Sequence, residues 1–132
     1  MKRRTAREKA VQCLFQIDMA ETTLGDAYAF VLENTAEDPT YLRHLVEATL
    51  SNQDAIDEEI KKYLRGWQLD RIANVDRAVL RLAFYELMFE TDTPPRVVLN
   101  EAIELAKTFS DEQSSKFING VLSAYLQSRQ LA

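Results

Sequence analysis

The sequence predicts an all-α domain of about seven helices, and three observations predict it. Only three glycines and three prolines occur among 132 residues, whereas average usage is roughly 12% for the pair. Too few turn formers remain for an all-β sandwich. Apolar residues between these breakers recur at spacings of three and four, which is one face of a helix. No segment alternates with period two over strand length, apart from short ambiguous runs such as Arg96–Leu99.

The breakers then divide the chain. A first helix runs from about Thr5 to Ala20, with Ala6, Ala10, Leu14 and Ile17 on one face. Gly25-Asp26 opens a shorter second helix that carries Ala27, Phe30 and Val31. Asp38-Pro39 starts a third, with Asp as N-cap and Pro at the first helical position; Leu42, Leu45, Val46, Thr49 and Leu50 follow. The fourth holds Ile56, Ile60, Tyr63 and Leu64, and Gly66 stands where a C′ glycine belongs. Trp67 and Leu69 form an apolar connector expected to be buried. A fifth helix covers about Asn74 to Phe89. Thr93-Pro94-Pro95 separates it from a sixth through Val98, Ala102, Leu105 and Ala106. Ser110 with Gln113 reads as a capping box for the seventh. Gly120 lies inside that helix at a cost of about 1 kcal/mol relative to Ala, which close approach of a neighbouring helix would explain. There is no linker and no internal repeat, so residues 1–132 read as a single domain.

Composition narrows the function. The longest run without a charged residue is the twelve from Phe117 to Ser128, and a membrane span needs about 20. The basic start is interrupted by Glu8 and lacks the apolar core of a signal peptide, so a cytoplasmic location is the default. A single cysteine, Cys13, and a single histidine, His44, leave no disulfide framework and no multi-cysteine or His-pair metal site. Cys13 reads as a packed thiol and His44 as a structural or surface residue. The isolated glycines make no phosphate loop. Glu101 and Glu104 form one carboxylate pair without a second to complete a di-metal site. Catalytic residues, metal and cofactor are therefore not expected, and binding is the better hypothesis.

Charge is distributed unevenly. The net charge is −5, but residues 1–10 carry +4 and the remainder −9. A basic arm on an acidic body points to two surfaces for two kinds of partner; the plainer alternative is a solubilising terminus. At about 100° per residue, Phe15 and Arg4 share a flank of the first helix away from its core face, with Arg7 between that flank and the core. Guanidinium for phosphate beside a ring for a base is what single-stranded RNA requires. Lys107, Phe109, Lys116 and Phe117 repeat this mixture around Ser110, at a helix N-terminus suited to phosphate. Asp111 and Glu112 oppose phosphate there. In both clusters the alternative is that the rings belong to the core.

Four runs carry a resemblance to a known family: Arg4–Phe15 (RTAREKAVQCLF), Val75–Leu87 (VDRAVLRLAFYEL), Asn100–Phe109 (NEAIELAKTF) and Ser115–Leu122 (SKFINGVL). Their order and spacing resemble the NusB transcription antitermination factors across nearly the whole chain. The resemblance implies two small helical bundles packed together. It also implies binding to the single-stranded boxA element of nascent RNA, as a heterodimer with the ribosomal protein NusE. The pair helps load an RNA polymerase antitermination complex that reads through terminators, notably in ribosomal RNA operons. Some members also form homodimers. Carried onto this chain, the RNA surface comprises Lys2, Arg3, Arg4, Arg7 and Phe15 with Phe109, Gln113, Lys116 and Phe117. Gln113 departs from the acidic residue of many relatives. Asp76 matches an acidic position facing NusE, joined by Asp70, Arg77 and Tyr85 as weaker candidates. An acidic body suits a basic ribosomal partner. Alanine at both Arg4 and Arg7 is expected to lower RNA affinity with the fold intact. The competing readings are an RNA-targeting domain of a ribosomal RNA methyltransferase and a helical protein-interaction adaptor.

Overall fold

The computed structural model describes residues 1–129. Among them the fold is all-helical: α1 (Arg3–Ala20), α2 (Leu24–Val31), α3 (Thr40–Ser51), α4 (Gln53–Lys61), α5 (Asn74–Phe89), α6 (Pro95–Phe109) and α7 (Glu112–Ser128), with a 3₁₀ turn over Leu69–Arg71 before α5. No described helix is long and apolar enough to cross a membrane.

The helices form two groups. α1 packs on α2 and α3, while α6 packs on α7; α5 touches α1, α3, α4, α6 and α7 and joins the groups. Its central place follows from its sequence. Asp76 through Glu86 are buried without interruption, because Ala, Val, Leu and Phe on every side of the helix find a neighbour to cover them. A helix surrounded in this way must satisfy the charges it takes inside.

Arg77 donates to Asp18 Oδ2 at 2.9 Å and to the carbonyls of Leu69 and Ile72, tying the 3₁₀ turn to α1 and α5. Arg81 donates to both oxygens of Asp57 on α4, at 2.8 and 2.9 Å. Arg7 on α1 donates to both oxygens of Glu86, from Nε at 2.9 Å and Nη2 at 2.8 Å. Burial alone would push the Arg7 guanidinium down; Glu86 outweighs it and holds the pKa above its ordinary value. Cys13 is sealed in the core, and burial pushes its thiol up to about 12.

Several local expectations shift. Asp38 accepts from the backbone N–H and hydroxyl of Thr40, but Pro39 is the N-cap residue and α3 begins at Thr40. α4 ends at Lys61, so Gly66, at φ 93°, serves the turn that follows rather than the helix end. The α7 cap is Asp111, which accepts from the Ser114 N–H at 2.8 Å, and not Ser110. Trp67 is not buried: Leu69 fills the connector's place in the core and leaves the indole 61% exposed. No described helix crosses close to Gly120; a Cβ there would meet nothing within 4 Å among the described residues.

Removing one member of a buried pair strands the other charge and costs about 3–5 kcal/mol. Arg7→Ala should therefore lower unfolding free energy by about that amount in urea titrations. Arg4→Ala, whose partner Glu101 is reached from the surface, should change it by less than about 1 kcal/mol.

Candidate nucleic-acid interface

The opening helix and the last corner are neighbours. Arg4 shares a groove with Val97, Asn100 and Glu101 of α6, and one turn later Glu8 lies beside Glu104 and Thr108. α1 thus runs along α6 toward Phe109, where the chain turns into α7. The rings of Phe15, Phe109 and Phe117 are half-buried and rest on the core without being sealed in it. Half-burial reconciles the two sequence readings: each ring packs with one part and leaves another at the surface.

The expected cations divide in four ways. Lys2 and Lys116 are exposed and make no ion pair among the described residues. Arg3 lies over the Tyr41 ring at 4.8 Å, exposed to solvent but directed toward α3. Arg4 is held by Glu101 at 3.2 Å with 66% of its side chain exposed. Arg7 departs from the expected surface. It is 3% exposed and committed to Glu86, so it acts as a core bolt, and the paired Arg4 and Arg7 exchange would destabilise the fold as well as alter the surface. The N-terminus of α7 is a poor phosphate cradle, because Asp111 takes the Ser114 N–H and Glu112 adds a second negative charge.

The partner candidates separate as well. Asp70 is exposed, and Asp76 is 7% exposed at the edge of a groove of about 320 Å³ shared by Arg71, Asp111, Gln113, Ser114 and Phe117. Arg77 faces inward onto Asp18 and the 3₁₀ turn. Tyr85 lies nine residues along α5 from Asp76, about 14 Å away, with its hydroxyl 3.1 Å from His44 Nε2. It belongs to the α3 side of the molecule.

Asp76 is electrostatically unfinished. Ser114 Oγ donates to its Oδ2 at 3.1 Å, while buried Oδ1 has no partner among the described residues. Burial raises the Asp76 pKa first; the Ser114 bond opposes this and the charge of Asp111 adds to it. An orphaned carboxylate oxygen at a groove is suited to an incoming donor, above all a cation. Gln113, in the same groove, brings no charge to compete with Asp76.

Two residues of this surface escaped the sequence reading. Trp67 packs edge-on against Phe117, with centroids 6.2 Å apart and planes at 69°. Arg65 lines the adjacent groove along α7. The signal was present in the run Lys61 to Trp67, where cations alternate with Tyr63 and Trp67 as they do around Ser110. Among the described residues no cluster of His, Cys, Asp or Glu could hold a metal ion.

Because the native carboxyl binds its proton more tightly than the unfolded one, Asp76 makes stability fall as pH rises from the ordinary Asp pKa through the raised native value. Asp76→Asn should abolish that decrement. The variant should be at least as stable as the parent at pH 7, and the gap in melting temperature should close in acid. A parent that gains stability over this window relative to the variant would contradict the assignment.

The comparisons agree with one another. The model of the NusB family matches residues 4–127. The transcription antitermination protein NusB of Bacillus subtilis (strain 168) is 54% identical over 123 residues, which is 93% of each chain. NusB of T. maritima superposes with a TM-score of 0.87 at 37% identity, over 96% of this chain and 92% of that one. A crystal structure of antitermination factors NusB and NusE in complex with double-stranded RNA superposes with a TM-score of 0.87 at 32% identity, over 96% of both chains. The matched span takes in every described helix that builds the grooves around Asp76 and Phe117, and the chain belongs to the NusB family.

Proposed function

We propose that this protein is a transcription antitermination factor that binds the boxA element of nascent RNA together with the ribosomal protein NusE, in the cytoplasm where that RNA is made. The observation that carries the reading is the family match over residues 4–127, with relatives of the same name matched over 93% of their own length. The relatives matched in this way are antitermination proteins, which favours that reading over the RNA-targeting domain of a ribosomal RNA methyltransferase. The family's work is transcription antitermination and not catalysis.

The surface chemistry supports the same division of labour. Lys2, Arg4 and Lys116 offer charge to phosphates, and the half-buried rings of Phe15, Phe109 and Phe117 offer apolar surface to unpaired bases. Asp70 and the orphaned oxygen of Asp76 offer acceptors to a basic ribosomal protein. The two sets meet at the corner between α6 and α7. RNA and partner can therefore be held together, with each raising the affinity of the other. The half-buried rings favour an unpaired strand over a duplex, whose bases are already stacked.

Gel shifts with single-stranded boxA RNA should show weak binding by this chain and tighter binding once NusE is added. Removing one cation that faces a phosphate, as in Lys116→Ala, should lower the slope of log K against log salt by roughly 0.7. Absence of binding with NusE present, at low salt, would remove the proposal and leave the helical adaptor.

A further inference from the structure

We infer that the groove between the Trp67 turn and α7 is an additional nucleotide subsite, in which the Trp67 indole stacks on one unpaired base of the bound RNA and Arg65 and Lys116 take the flanking phosphates. The inference rests on the RNA-binding reading above and extends it from the expected Lys116 and Phe117 to Trp67, Arg65 and Gly120, which lie outside the expected RNA-binding residues. The groove has a volume of about 320 Å³ and opens on the side of the Trp67–Phe117 pair away from Asp76.

Three observations converge. First, Trp67 is 61% exposed, and its edge-on packing against Phe117 orients the indole while leaving ring surface open. A large ring held at a fixed angle loses little entropy when a base stacks on it. Second, the charges on the two sides of the pair differ. The groove beside Asp76 contains two carboxylates, Asp76 and Asp111, with one cation, Arg71. The groove along α7 is lined, among the described residues, by Arg65 and Lys116 and by no carboxylate. That complementarity fits a polyanion and disfavours a basic protein. Third, Gly120 lies on the same groove within α7, where it weakens the helix without easing any internal packing. Its missing side chain leaves backbone open to the groove, as close approach of a ligand would require.

Trp67 is the single tryptophan of the chain, so its emission reports the subsite directly. Titration of the protein with single-stranded boxA RNA should quench that emission in step with binding measured by gel shift. Trp67→Ala should weaken RNA binding about 5- to 150-fold, the range for loss of one base stack, and Trp67→Phe should restore part of it. Arg65→Gln should reduce the salt slope by roughly 0.7. Gly120→Ala separates binding from folding: it should raise the melting temperature while weakening RNA binding. If the parent binds RNA with unchanged emission, and Trp67→Ala and Gly120→Ala bind as the parent does, the subsite is refuted and the RNA-binding reading stands. If Trp67→Ala loses purified NusE but keeps RNA, the groove belongs to the protein partner and the inference is equally overturned. If the parent binds no RNA with NusE present, both fall together.

Discussion

The burial of α5 on every side is the constraint from which the rest follows. A helix enclosed by five others cannot leave an ionised group unpaired inside. Its charges therefore dictate where the neighbours sit: Asp18 of α1 meets Arg77, Asp57 of α4 meets Arg81, and Arg7 of α1 meets Glu86. These pairs are directional, unlike apolar packing. They set the rotation and height of α1 and α4 against α5, while Leu and Val burial supplies the driving force.

Asp76 is where this scheme stops short. It is the remaining acidic residue in the buried run of α5, and its only side-chain partner among the described residues is a neutral serine hydroxyl. The same helix that satisfies its other charges internally thus presents one incomplete acceptor at a groove mouth. Near it the chain places half-buried rings and unpaired cations. Function lies where internal pairing ends, which is consistent with a molecule that recognises two partners with a rigid helical frame.

The arginine-rich start of α1 shows how one motif serves two purposes. Successive residues point around the helix, so Arg3 reaches Tyr41, Arg4 reaches Glu101 at the surface, and Arg7 turns inward to Glu86. A sequence run of like charges reads as one electrostatic patch. Its helical spacing instead distributes the guanidinium groups between solvent and core.

By itself the sequence determined the helical class, the number and order of helices and most of the core, because those depend on breakers and on periodicity along one chain. Ala10, Leu14, Val79, Leu82 and Val121 are buried as their spacing requires. It also carried the family resemblance, since the four motifs keep their order and spacing. Tertiary structure decided what spacing leaves degenerate. Arg7 and Arg4 look alike until Glu86 and Glu101 arrive from helices about eighty to a hundred residues away. Trp67 and Leu69 look alike until only one can fill the core beneath the turn. Capping differed by a residue because Ser110 and Asp111 both qualify chemically, and backbone geometry admits one of them. The physical reason is common to all: local propensity is written along the chain, whereas burial and charge pairing depend on which distant segments come to share a surface.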